Sequence, residues 1–169
     1  MIDAEYVRLM ARYNFWQNVQ LMPILEDMSD TELTKDRGSF FGSLFATANH
    51  LLWGDTIWMS RFDKAVAPPK GGIPESVGLH ATLSAWAADR RRLDGTIRLW
   101  AERLASVDIE GSLTWYSGAL GREVSAPKAS TIMHFFNHQT HHRGQIHAML
   151  TAAGNKAPVT DLFIMPEDV

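Results

Sequence analysis

The chain has no cysteine. Disulfides, thiolate metal ligands and a cysteine nucleophile are therefore excluded, and any thiol chemistry has to use a thiol from outside. It also lacks an excess of positive charge. Lys and Arg number 16 against 19 Asp and Glu, for a net charge of −3, so there is no electrostatic case for nucleic acid or an anionic membrane as partner. The one basic cluster, Arg90-Arg91-Arg92, has Asp89 and Asp94 beside it and reads as a solvated helix face. No basic region followed by an apolar run opens the sequence, so no secretory signal is expected and the cytoplasm is the expected location. A membrane span is not expected either. Between residues 40 and 60 the only charged side chain is Asp55, but Ser43, Thr47, Asn49, His50, Thr56 and Ser60 make the stretch too polar for lipid on all sides. There is no internal repeat and no low-complexity block.

What is present fits one domain spanning residues 1–169, 46% hydrophobic and 21% charged, as in ordinary globular chains. Four stretches carry helical periodicity. The first runs from about Asp3, a natural N-cap, to Glu26, with Pro23 threatening its last turn. Ser29 and Glu32 have capping-box spacing and predict a short helical turn in the connection that follows. The second helix is expected over Ser39 to Phe62 and is apolar nearly all round, so it is buried on more than one side. Residues 64–78 hold three prolines and three glycines and read as a linker. Extended, those 15 residues reach about 50 Å, more than the roughly 36 Å of a 24-residue helix, so the second and third helices can run parallel. The third helix spans about His80 to Ala105, with Arg90 where its stripe expects an apolar residue; snorkelling to solvent and pairing in a pocket both account for that. Leu113 to Tyr116 and Glu123 to Ser125 flank a glycine-containing turn and predict a small β-hairpin. The fourth helix starts near Pro127 and stops at Gly154-Asn155, and the tail beyond it is surface strand or coil. Four amphipathic helices with little strand make an all-α bundle, an architecture that builds metal sites in its core from facing helices.

Five of the seven histidines lie in the fourth helix, at 134, 138, 141, 142 and 147. On a helical wheel His142 falls near the middle of the apolar stripe and His138 about one-ninth of a turn away. His134 and His141 lie at the stripe's edge, and His147 points away from it. An i, i+4 pair such as His138 and His142 can bind one divalent ion. It can equally be a buried pair satisfied by hydrogen bonds. His50 sits at the middle of the second helix among the small residues Ala46, Thr47 and Gly54, which leave room beside its ring. If the two helices are neighbours, His50, His138 and His142 meet at one level, and three imidazoles around an ion leave a coordination position open, as in catalytic sites. His80, at the start of the third helix, reads as a surface or capping histidine.

The chain resembles the DinB/YfiT-like family over nearly its whole length. The resemblance rests on Tyr13-Asn14-Phe15-Trp16 in the first helix and on Asn49-His50-Leu51-Leu52-Trp53-Gly54-Asp55, followed by Trp58 and Arg61, in the second. It rests further on the hairpin from Leu113 to Val124 and, most specifically, on Asn137-His138-Gln139-Thr140-His141-His142-Arg143-Gly144-Gln145. It implies a four-helix bundle with a long crossover between the second and third helices, often as a homodimer. It also implies one divalent ion, nickel or zinc foremost and iron or manganese as alternatives, held by His50, His138 and His142. Studied relatives include transferases and isomerases that use small thiols such as bacillithiol or mycothiol, so a small-molecule substrate and a low-molecular-weight thiol are the implied partners.

Two functional readings follow. In one the protein is a metal-dependent enzyme, a hydrolase or a thiol S-transferase, whose ion lowers the pKa of a bound water or thiol. In the other it is a non-catalytic metal-binding stress-response module whose ion holds two helices together. His134 and Asp55 are the candidate groups supporting the ligands, and with Glu26 they are the candidate bases; spacing does not choose among them. Ordinary imidazoles would lose the ion as pH falls through about 6.5.

Overall fold

The computed structural model describes residues 2–169. Four long helices, α1 (Ala4–Glu26), α3 (Leu44–Phe62), α5 (Leu83–Arg103) and α6 (Lys128–Ala152), form the bundle. Two short ones, α2 (Asp30–Thr34) and α4 (Ile73–Ser76), sit in the connections, and strands β1 (Ser112–Ser117) and β2 (Arg122–Pro127) form a hairpin before α6. Among the described residues no helix is long and apolar enough to cross a membrane.

Local chemistry sets the helix ends. Asp3 caps α1 by accepting from the Tyr6 N–H at 2.8 Å, and Ser29, Ser43 and Thr82 do the same for α2, α3 and α5. The expected break at Pro23 does not occur, and α1 continues to Glu26. The carbonyl that Pro23 leaves without an N–H belongs to Val19, which is half exposed and open to water. The second long helix starts five residues later than expected. Residues 39–42 form a tight turn, closed by the Gly42 N–H donating to the Ser39 carbonyl at 2.9 Å, and Gly42 takes the positive φ of 77° that the turn demands. At the far end of α6, Gly154 at φ 80° lets the Asn155 N–H reach the Leu150 carbonyl, closing a Schellman motif.

Side-chain partners give the directions of the helices. Ala48 meets Trp86, Asp55 meets Arg90 and Phe62 meets Trp100, so α3 and α5 run parallel. His50 meets His142 and Phe62 meets Phe135, so α3 and α6 run antiparallel. Arg8 reaches Leu104 while Asn18 reaches Asp94, which makes α1 antiparallel to α5. The long crossover between α3 and α5 is therefore real, but the 64–78 segment is more than a linker: it carries α4.

The core between the helices is apolar, with Leu25, Leu44, Leu52, Met59, Ile97, Phe135, Ile146 and Leu150 essentially inaccessible. Each contributes about 1.5–3 kcal/mol. One layer of it is polar. Asn14 and Asn18 from α1, Asp55 from α3, Arg90 and Asp94 from α5, and Gln139 and Arg143 from α6 are all buried. Arg90 does not snorkel. It is 1% exposed and bridges Asp55 at 2.6 Å and Asp94 at 2.7 Å, while Asn18 donates to Asp94 at 2.9 Å. Burial disfavours the Arg90 charge, but the two carboxylates outweigh it and raise its pKa. Burial pushes Asp94 up to about 6, only partly offset by Arg90.

Candidate metal centre

His50 lies on the face of α3 turned to α6, and His138 and His142 lie one turn apart on the face of α6 turned to α3. The antiparallel packing brings all three to one level. His138 Nε2 is 3.3 Å from His50 Nε2 and 3.1 Å from His142 Nε2. One ligand atom from each of the three lies within 4.8 Å of the others, a group that can hold a metal ion. Phe41 covers the site, its ring centroid 4.0 Å from that of His50 and 5.5 Å from that of His142.

Protons decide what these nitrogens can do. The Ser76 hydroxyl donates its single proton to the Ile73 carbonyl at 2.6 Å, so toward His50 Nδ1, 2.7 Å away, it can only accept. His50 therefore carries its proton on Nδ1 and presents a bare lone pair at Nε2. His142 is arranged alike, with Gln145 Oε1 turned toward its Nδ1 at 2.8 Å and Gln145 Nε2 facing His141 Nε2 at 3.2 Å. A neutral His138 has at most one proton at Nε2 and can satisfy only one of the two lone pairs facing it. Three imidazole nitrogens at near contact with at most one proton among them are short of positive charge, and a cation supplies it.

Burial keeps the rings neutral. It holds the His50 pKa down at about 4, helped by His142. It holds His138 at about 3, with His142 and His50 adding to the effect. His142 is lowered too, by burial acting against its bond to Gln145. The ordinary value of about 6.5 expected from sequence alone is thus shifted down where the fold buries the rings.

The space beside His50 that its small neighbours predict is filled, in part, by another ligand ring. A Cβ built on Gly54 would stand 2.5 Å from His138 Cε1 and 3.2 Å from its Nδ1. Only glycine lets α3 accept that ring.

The remaining candidates fall elsewhere. Asp55 is wholly buried and bonded to Arg90, not to an imidazole. Glu26 pairs with Arg91 at 2.9 Å on the surface. His134 is exposed, one turn before His138 with ring centroids 6.0 Å apart, and it packs edge-on against Trp58 at 5.0 Å. Burial and then Arg61 lower its pKa. His80 faces Asp89 at 3.0 Å, away from the cluster, and His147 lies on the opposite side of α6.

Sequence reasoning missed the groups that orient the ligands. Ser76 stands in a proline- and glycine-rich stretch, 26 positions from His50, and nothing in its spacing marks it. Asn49 holds it there, donating to the Val77 and His80 carbonyls at 3.1 and 3.0 Å and accepting from the His80 N–H at 3.2 Å. The one available signal was that an asparagine interrupts an apolar helix beside the histidine. Gln145, at i+3 from His142, was within reach of a helical-wheel argument.

Comparison with known proteins agrees with this architecture. The sequence model described as the DinB family matches residues 1–168. Among solved structures, a DinB-like protein from Bacillus cereus ATCC 10987 aligns with a TM-score of 0.61 and 18% sequence identity, over 86% of this chain and 91% of that one. At that identity the likeness shows the fold alone. Comparison with curated proteins finds no match.

Proposed function

The chain belongs to the DinB family, and we propose that it is a metal-dependent enzyme whose His50, His138 and His142 hold one divalent ion with a coordination position left open. The observation that carries this reading is the Ser76 hydroxyl, whose proton is committed to Ile73 so that His50 must turn a bare lone pair toward two further imidazoles. Imidazole donors suit zinc, nickel, copper and iron alike, and the family resemblance is what favours zinc or nickel among the candidates. An ion so held supplies Lewis acidity, which brings the pKa of a water or small thiol toward neutrality.

The residues around it have separable tasks. Ser76 and Gln145 hold two rings in the donor orientation. Phe41 screens one side of the site from water. His134 is the group we assign to accept the proton released by the nucleophile. Asp55 and Glu26 are committed to arginines, and His141 is engaged by Gln145, which leaves His134 as the uncommitted imidazole beside the cluster. With no cysteine in the chain, a transferase of this kind takes its thiol from solution, and a hydrolase uses water. A homodimer is the expected assembly.

The non-catalytic reading, in which an ion serves to clamp α3 to α6, has less to explain. Phe62 of α3 already packs edge-on against Phe135 of α6, while the polar layer of Asp55, Arg90, Asp94 and Asn18 joins α3 to α5 and α1. Metal content tests what the two readings share, and turnover separates them. Protein purified without a metal-affinity tag should contain about one equivalent of metal, and His50→Ala should lose it while His147→Ala retains it. A screen of small thiols with electrophilic acceptors should then show metal-dependent turnover. Full metal occupancy with no turnover for any thiol or ester would leave the module reading standing; equal metal loss in the two variants would remove His50 from the site.

A further inference from the structure

Arg61, in the last turn of α3, is a cation that the fold positions and leaves without a counter-charge. Its guanidinium carbon is 4.5 Å from the Trp58 ring centroid and 5.4 Å from that of Trp115. The two indoles meet at 65° with centroids 5.3 Å apart, and the guanidinium fills the corner between them. Trp115 comes from β1, so the hairpin supplies one side of that corner.

The indoles hold the arginine in place, but they leave its hydrogen-bonding capacity unused. Arg61 is half-buried, yet it donates to no protein atom among the described residues, and its nitrogens reach accessible surface. Burial lowers its pKa, and no carboxylate acts to raise it. The neighbouring charges are accounted for. Arg61 borders a cavity of about 410 Å³ at the end of the bundle, which Asp63, Arg103, Asp108 and Lys128 also line. The Asp63 carboxylate accepts from Arg103 at 3.1 Å and from the Ala65 N–H at 2.9 Å. Asp108 accepts from the Ala105 N–H at 2.9 Å, and Lys128 donates to the Asp108 carbonyl at 3.3 Å. Among these cations Arg61 alone is bonded to nothing.

Its head lies on the side of the metal centre. A long side chain on a helix leans back toward the N-terminus, and the contact with Trp58, three residues earlier, follows that direction. Trp58 also carries His134 edge-on at 5.0 Å, and the His134 and His138 ring centroids are 6.0 Å apart. Burial first and the Arg61 charge second lower the His134 pKa. Along α3, Trp58 stands one turn, about 6 Å, beyond Gly54, the residue against which His138 packs. The surface between α3 and α6 thus runs from His138 past His134 and Trp58 to a free guanidinium edge.

We infer that Arg61 is a substrate-binding residue, which holds the carboxylate of a small organic acid whose reacting group lies at the ion bound by His50, His138 and His142. A guanidinium edge is a planar fork that matches a carboxylate through two parallel N–H···O bonds. The site offers one fork and one charge, which fits a monoanion. The inference rests on the metal-dependent reading above and adds to it the class of substrate, an acid with several bonds between its carboxylate and its reacting group.

The test uses cobalt(II)-loaded protein with 4-mercaptobutyrate and 6-mercaptohexanoate, each beside its primary amide. A thiol serves here as a ligand for the open position, whichever nucleophile the enzyme uses. Its thiolate-to-cobalt charge-transfer band in the near ultraviolet reports affinity without turnover. Wild-type protein is expected to bind at least one of the acids at least tenfold more tightly than its amide. Arg61→Gln should bring acid and amide to equal affinity and leave cobalt and amide affinities unchanged. Arg61→Met, which keeps an apolar stem against both indoles, should do the same and carries the test where the glutamine variant does not fold. Arg103→Gln, across the cavity, should keep the preference. The proposal is overturned if no acid gives the band, if acid and amide bind wild type alike at both lengths, or if the preference survives in the Arg61 variants. It is also overturned if those variants lose the amide as well, which would make the role structural, or if Arg103→Gln loses the preference equally. Protein that takes up cobalt but shows no preference refutes the role of Arg61 alone. Protein that takes up no cobalt refutes the metal reading, and the proposal falls with it.

Discussion

Gly54→Ala tests the geometry of the metal centre more sharply than deletion of a ligand does. The added methyl carbon would stand 2.5 Å from His138 Cε1, where ordinary contact begins at 3.4 Å. The helix cannot yield, because Asp55 and Leu52 on either side of Gly54 are locked in the core. The ring must retreat by about 1 Å or change rotamer, and a metal ligand displaced by that much no longer meets the distance an ion requires. Displacing a group that only orients a ligand costs about 10–100-fold in metal affinity. Displacing the ligand itself should cost at least the upper end of that range, or about 2.7 kcal/mol. Stability should move far less. Replacing a mid-helix glycine by alanine gains about 1 kcal/mol, which offsets an overpacking cost of about 1–3 kcal/mol. The expected signature is therefore a split: zinc or nickel affinity, measured by chelator competition, falls at least 100-fold, while the melting temperature of the metal-free protein changes by a few degrees. Gly95→Ala is the control. Its Cβ meets nothing within 4 Å, so it should gain helix stability and leave metal affinity alone. Metal affinity within threefold of wild type in Gly54→Ala would refute the crowding argument, and with it the assignment of His138 as a ligand held in place by the absence of a side chain.

Three further outcomes follow from the same coordinates. Ser76→Ala removes the acceptor that holds the His50 proton on Nδ1, and should weaken metal binding about 10–100-fold in the chelator assay without altering the far-ultraviolet circular dichroism; an unchanged affinity would mean that another group sets the tautomer. Arg90→Ala leaves two carboxylates buried without their shared cation, and should cost about 3–5 kcal/mol in urea unfolding, a loss that adding Asp55→Asn and Asp94→Asn in the same chain should partly recover; additive losses would show that the charges are not coupled. Metal should be retained to a lower pH than ordinary imidazoles would allow, since the imidazoles bind when neutral and burial lowers all three, His50 to about 4 and His138 to about 3. The sign for stability is the same. Each lowered value means that the unfolded chain takes up the proton first, so the metal-free protein is most stable above about pH 6.5 and loses stability as pH falls from there toward 4. Half-release of metal near pH 6.5 would show that the rings are not buried as described.

Much of this molecule is written in one dimension. Apolar spacing defines the four long helices, and the caps Asp3, Ser29 and Gly154-Asn155 mark ends within a residue or two, because a cap is a local hydrogen bond: the Asp3 and Ser29 side chains accept from N–H groups three positions on, and the Asn155 N–H reaches back to the Leu150 carbonyl. His138 and His142 pair by helical pitch alone, and the run around them, with that around His50, is distinctive enough to place the chain in its family. Tertiary structure decided the rest, and for one reason: it concerns groups that neither pitch nor pleat relates. The antiparallel contact of α3 and α6 brings His50 to the pair, a crossover of indeterminate path brings Ser76 to His50, and Gly54 is required only because a ring 84 positions along the chain occupies its space. Arg90 and Arg143 have equal charge in the sequence, yet one bridges two carboxylates while the other donates to the neutral Asn14, a difference that arises only when four helices close around a common polar layer.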